Sequence, residues 1–285
     1  MAGPTAPTAR RRRLGLELRR LREAAGLKLD QVAAELDLTT STLSRIETGK
    51  APCRTTYLTA MLGMYGITDP EQIQLLKDMA REGQRKDWLA DYDDMLPTGF
   101  GIYVGLESVA ASLRAYEAQA VHGLLQTQDY ARAVIRAWDR KASTGDVDRL
   151  TALRMKRQEV LTRPDHPLEL WAILDEAVLR RPVGGPAIMR AQLGKLLQTT
   201  EQPNVTVQIL PFSQGAHAGL TGSFYLLDFP GDDPPTTYAD TPAGNIFLDK
   251  AHQVRRWAEA FDQLRADAIS PDGSRDLIAK LSTET

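Results

Sequence analysis

The chain has 285 residues, 42% of them hydrophobic and 25% charged, with a formal net charge of −2. That leaves room for two domains, each with an ordinary apolar core. No apolar run reaches about 18 residues, and no apolar stretch follows the basic Arg10–Arg13, so neither a membrane span nor a secretory leader is expected.

Residues 1–13 are expected to be a disordered basic tail. Leu14, Leu18, Leu21 and Ala25 then recur at helical spacing, and Gly26 is a natural stop. A short second helix carries Val32, Ala33 and Leu36 as its apolar stripe. Asp37-Leu38 leaves space for a tight turn only. Thr39 can cap the third helix, whose inward residues are Leu43 and Ile46. Leu58, Met61, Leu62 and Tyr65 mark a fourth helix. Asp69-Pro70 opens a fifth, which runs to about Trp88. These elements predict an all-α five-helix domain over 14–90, followed by a Pro/Gly-containing acidic linker over 91–104.

The remainder, 105–285, reads as an α+β domain with a mainly antiparallel sheet. Helical patterns cover about 105–117, 127–139 and 146–163. Strands are expected at Leu168–Leu174, Val205–Pro211, Ser223–Phe229, Thr236–Asp240 and Asn245–Leu248, with a helix over 186–200 among them. Two more helices, about 251–268 and 272–282, close the chain. Trp138, Trp171 and Trp257 are expected in the core.

The charge is uneven. Residues 1–54 carry 11 Lys/Arg against 6 Asp/Glu, so a basic module precedes an acidic body. That suits a module that meets phosphate joined to one that does not. The single Cys53 cannot form an internal disulfide, which points to the reducing cytoplasm.

The segment Gly26 to Lys50 places two short helices around a tight turn, a helix-turn-helix that presents its second helix outward. An α-helix fits the major groove of B-DNA, where each base pair displays a distinct pattern of donors and acceptors. With Leu43 and Ile46 inward, Thr40, Ser41, Thr42, Ser44 and Arg45 become the base-contact candidates. Arg45 can chelate guanine O6 and N7, while the hydroxyls discriminate weakly. Arg19, Arg20, Lys28, Lys50 and Arg54 are candidates for phosphate contacts, which position without specifying.

Ala33, Leu36, Ser41–Glu47, Gly49 and Lys50 resemble the Xre family of helix-turn-helix regulators, the phage-repressor-like class. The likeness covers about 14–75. It implies a recognition helix near 40–48, homodimeric binding to two half-sites, and an inward Arg22–Glu47 ion pair. The chain departs from the family at Leu29, where Gln is usual, and at Asp37, where Gly is frequent in the turn. Lys28 or the backbone N–H groups of the helix N-terminus are expected to stand in for the missing Gln. Asp37 tolerates a left-handed turn.

The C-terminal part also resembles a known group. Val121–Arg132, Arg154–Gln158, Leu174–Gly185, Leu210–Phe212 with Gly215–His217, and Ser270-Pro271 are similar to the domain of unknown function in actinobacterial WhiJ-like regulators. That resemblance implies a small partner protein encoded nearby. Where Pro usually precedes Gly123, this chain has His122.

The four histidines, His122, His166, His217 and His252, show no metal-ligand spacing. No nucleophile elbow is present. Asp175-Glu176 reads as a strand end and helix cap, and Gly184-Gly185-Pro186 as a turn that starts a helix. His217, between glycines in a loop, is the candidate for a ligand or partner contact. The expectation is a cytoplasmic regulator of double-stranded DNA, not an enzyme, with no metal or cofactor. The competing expectation is an interaction scaffold whose helix-turn-helix does not bind specific DNA.

Overall fold

The computed structural model describes residues 9–49, 51–84, 92, 95–96, 99–231, 233–241 and 244–285. The chain divides into two compact units, Met1–Val109 and Ala110–Thr285.

The first unit is helical: α1 (Ala9–Ala24), α2 (Leu29–Glu35), α3 (Thr40–Glu47), α4 (Thr55–Met64), α5 (Pro70–Gln84) and α6 (Phe100–Val109). Leu14, Leu18 and Leu21 of α1 lie on one helical face and meet Val32, Leu43, Ile46, Leu58, Met61 and Leu76 in a single core. Gly15 lets α1 touch α3. A Cβ on it would come within 2.5 Å of the Glu47 carbonyl oxygen.

Two boundaries differ from expectation. α1 begins at Ala9 and takes in Arg10–Arg13, part of the expected tail. Alanine and arginine are strong helix formers, which favours a helix that reaches back to Ala9. Residues 1–8 of that tail lie outside the described residues. The last part of the expected linker is the start of α6. Gly101, Tyr103, Val104, Gly105 and Leu106 of α6 are buried, which an open linker would not allow.

The second unit contains β1 (Ser112–Glu117), α7 (Gln128–Trp138), α8 (Thr144–Arg157), β2 (Glu169–Asp175), α9 (Glu176–Arg180), α10 (Pro186–Thr199), β3 (Val205–Leu210), β4 (Phe224–Asp228), β5 (Thr236–Thr241), β6 (Gly244–Leu248), α11 (Ala251–Asp267) and α12 (Pro271–Glu284). Its six-stranded sheet has the order β3-β2-β1-β4-β5-β6. β1, β2 and β3 run parallel, and the β1–β4, β4–β5 and β5–β6 pairs are antiparallel. The domain is therefore α+β with a mixed, mostly antiparallel sheet.

The expected helix over 105–117 is replaced by the end of α6 and by β1. Leu113, Arg114, Ala115 and Glu117 favour helix locally. As a central strand, however, β1 pairs on both sides, and that tertiary pairing overrides the local preference. On one sheet face Tyr116, Ile173, Leu210, Phe224 and Leu226 pack with Val254, Phe261 and Leu264 of α11. The outer edge of β3 is covered as well. The Ile269 N–H donates to the Ile209 carbonyl (2.9 Å), and the Ile209 N–H donates to Ser274 Oγ (2.9 Å). Trp257 packs beside Phe224, with ring centroids 4.7 Å apart. Trp138 does not join the core: at the end of α7 it is 75% exposed.

Candidate nucleic-acid interface

α2 and α3 form the helix-turn-helix. The turn between them holds Asp37 at φ 56°, the left-handed conformation that its short polar side chain tolerates. Thr39 caps α3 by accepting the Thr42 N–H (3.1 Å), and the Thr39 and Thr42 hydroxyls lie 2.8 Å apart. Leu43, Ile46 and Glu47 are buried.

The opposite side of α3 is polar. Thr40, Ser41 and Arg45 are exposed, and Thr42 and Ser44 are half-buried. Positions 40, 41, 44 and 45 fall on one stripe at helical spacing, and exposed Thr48 extends it. The expected base-contact residues therefore share a face, except that the Thr42 hydroxyl is engaged at the cap. Thr48 belongs to the stripe but donates its hydroxyl to the Ser44 carbonyl (2.7 Å).

A buried ion pair orients this helix. Arg22 Nε donates to Glu47 Oε1 (2.7 Å), and Nη2 donates to Oε2 (2.9 Å). Arg22 Nη1 also donates to the Leu27 carbonyl (2.9 Å), which ties the α1–α2 connection to the same guanidinium. The hydrogen bond to Glu47 raises the Arg22 pKa above its ordinary value. Burial pushes the nearby Cys53 thiol up to about 12, so it stays a neutral packing group.

The phosphate-contact candidates are dispersed. Lys28 and Arg54 are exposed at the N-caps of α2 and α4. Arg19 and Arg20 are exposed on α1, where each donates to a neighbouring carboxylate, Glu23 and Glu17, at 2.8 Å. Lys50 lies outside the described residues. Leu29 is half-buried against the core, which accounts for an apolar residue at the start of α2. Gln31, two positions on, is exposed, and its side chain accepts the Lys28 N–H (2.8 Å). Sequence reasoning passed over Gln31, although its place three residues after the cap is a recognisable helix-start signal.

His217, expected at a ligand or partner contact, is turned inward in the second unit, its side chain 8% exposed. Its Nδ1 accepts the Gly219 N–H (3.1 Å), and its ring meets Tyr116 edge-on with centroids 5.9 Å apart. Asp175 accepts the Ala177 N–H and so caps α9 (2.8 Å), while Glu176 accepts the Phe212 N–H (2.8 Å). These groups hold the β3–β4 loop against the strand ends. Among the described residues, no helix is long and apolar enough to cross a membrane.

Comparison with known families yields two matches. The model of a helix-turn-helix domain matches residues 13–76. The model described as a domain of unknown function (DUF5753) matches residues 100–280. No curated protein and no solved structure matches the chain.

Proposed function

The chain belongs to the family of the domain of unknown function DUF5753 and carries a helix-turn-helix domain ahead of it; from that premise we propose that it is a sequence-specific DNA-binding transcription regulator of the Xre, phage-repressor-like class. The observation that carries the reading is the outward stripe of α3. Small hydroxyls and one guanidinium stand opposite a buried Leu43, Ile46 and Glu47.

Arg45 reads guanine, and Thr40, Ser41 and Ser44 contact neighbouring base edges. Lys28, Arg54 and Lys50 bind phosphate, with Gln31 beside Lys28 at the start of α2. Arg19 and Arg20 reach phosphate only by leaving their carboxylate partners. One helix of this length covers a few base pairs, so specific affinity calls for a homodimer on two half-sites. The C-terminal unit receives the signal, from a small molecule or a small partner protein. The setting is the cytoplasm, and the protein is not an enzyme.

The test is a gel-shift titration of the full chain against genomic duplex fragments over a salt series. The expected result is a subset of fragments bound far above the rest, with affinity falling log-linearly with salt, at a slope of about 0.9 per phosphate contacted. Equal affinity for all fragments would mean a scaffold or a non-specific binder and would overturn the proposal.

A further inference from the structure

The two edges of the C-terminal sheet are finished differently. At the β3 edge, the segment that leads into α12 stands in for a further strand. Ile209 donates its N–H to Ser274 Oγ and accepts the Ile269 N–H, each at 2.9 Å. β6 is the last strand at the other end, and among the described residues it pairs with β5 alone. An outer strand directs alternate N–H and carbonyl groups away from its one neighbour.

β6 carries none of the side chains that usually keep such an edge single. Gly244, Asn245, Ile246, Phe247 and Leu248 include no charge and no proline. Ile246 stands opposite Ala239 of β5, which packs against the core under α11. Ile246 therefore continues that apolar face to the rim of the sheet, where it is 46% exposed. An apolar side chain beside a row of outward backbone donors and acceptors suits an incoming strand, which meets both needs at once.

A strand of matching length is present in every second copy of the chain. Two identical strands in antiparallel array are self-complementary about a two-fold axis. Five residues overlap completely only when that axis passes the middle one, Ile246. Gly244 then faces Leu248, Asn245 faces Phe247, and each Ile246 faces its counterpart on the α11 side of the sheet. No like charges meet. We propose that β6 is a homodimer contact, pairing antiparallel with β6 of a second copy about Ile246 and joining two sheets into one. The proposal deepens the reading of the chain as a homodimer on two half-sites, because it says where the C-terminal units meet.

Mild oxidation of full-length Ile246→Cys over a concentration series tests the register. Directly opposed residues of an antiparallel pair have Cα atoms about 4.5–5.5 Å apart, within reach of a disulfide. Cys53 is buried and stays in place, with the parent chain as its control. Leu220→Cys, at a residue 70% exposed in the β3–β4 loop, reports random collision. Ile246→Cys should give disulfide-linked dimer about tenfold faster than Leu220→Cys, although its site is the less exposed. Ile246→Lys sets two like charges opposite each other and should weaken self-association, followed by sedimentation, about tenfold. Far-UV spectra confirm folding of each variant. Linking no faster than Leu220→Cys, or an Ile246→Lys chain that associates as the parent does, overturns the proposal and leaves the β6 edge to another occupant. Gel shifts on the reduced preparations score the DNA reading separately, since α3 lies in the other unit.

Discussion

Arg22 and Glu47 stand 25 residues apart in the chain, yet both are buried and joined through two hydrogen bonds. Removing one partner leaves a buried charge without its counterpart. Glu47→Gln should therefore cost about 3–5 kcal/mol in stability, read from the midpoint of urea denaturation. Replacing both, as Arg22→Met with Glu47→Leu, should cost less than Glu47→Gln alone, because an apolar pair needs no compensation. A double variant less stable than the single one contradicts this account. Arg45 offers the contrast: it is exposed on the same helix. Arg45→Ala should leave the denaturation midpoint nearly unchanged and lower discrimination by about 1–3 kcal/mol.

At the scale of elements, the contact between α1 and α3 depends on Gly15. The obstacle a Cβ would meet there is backbone, not a side chain that can swing aside. Gly15→Ala gains about 1 kcal/mol in helix propensity, but the two helices must move apart, which costs about 1–3 kcal/mol. The expected outcome is a net loss of stability together with weaker DNA binding, since α3 shifts with its support. A Gly15→Ala chain as stable as the parent would show that α1 and α3 are not in backbone contact.

Local signals made most elements legible before the fold was known. α3 announced itself through the Thr39 cap, the inward Leu43 and Ile46, and the outward hydroxyls. β3 and β4 were bounded by glycine, proline and aspartate. β1 was not legible, because Leu113, Arg114, Ala115 and Glu117 suit a helix and only the strands on either side make them extended. Gly15 was silent for a similar reason: nothing near it in the chain reveals that a carbonyl 32 positions onward, at Glu47, will press against it. The inward turn of His217 was not legible, because glycines two positions to either side suggest an open loop, whereas Gly219 packs on the Tyr116 ring and the imidazole meets that ring edge-on.

At the scale of the whole molecule, two fully buried titratable groups, His122 and Glu117, contribute a pH dependence to the stability of the C-terminal unit. Burial, aided by Arg157 and Arg154, lowers the His122 pKa from 6.5 to about 3. The folded state keeps this imidazole neutral, so its contribution is complete above about 6.5 and is lost as pH falls toward 3. Burial raises the Glu117 carboxyl from 4.5 to about 7, against the hydrogen bonds from Tyr225 and Ser223. Its contribution is complete below about 4.5 and is lost as pH rises through 7. His122→Asn should therefore flatten the acid side of the stability profile, and Glu117→Gln should gain on the parent more at pH 8 than at pH 5. Thermal melts of the full chain across that range check both. Parallel profiles for parent and variants would contradict the assignment.

The central claim is that the polar stripe of α3 reads DNA sequence. Selection of bound duplexes from a randomised library, with the parent chain and with Arg45→Ala, tests it most directly. The parent should enrich a two-fold repeated motif, and Arg45→Ala should lose the guanine preference at one position of each half while keeping the rest. A parent chain that enriches no motif, or an Arg45→Ala chain that enriches the same motif with the same guanines, would contradict it.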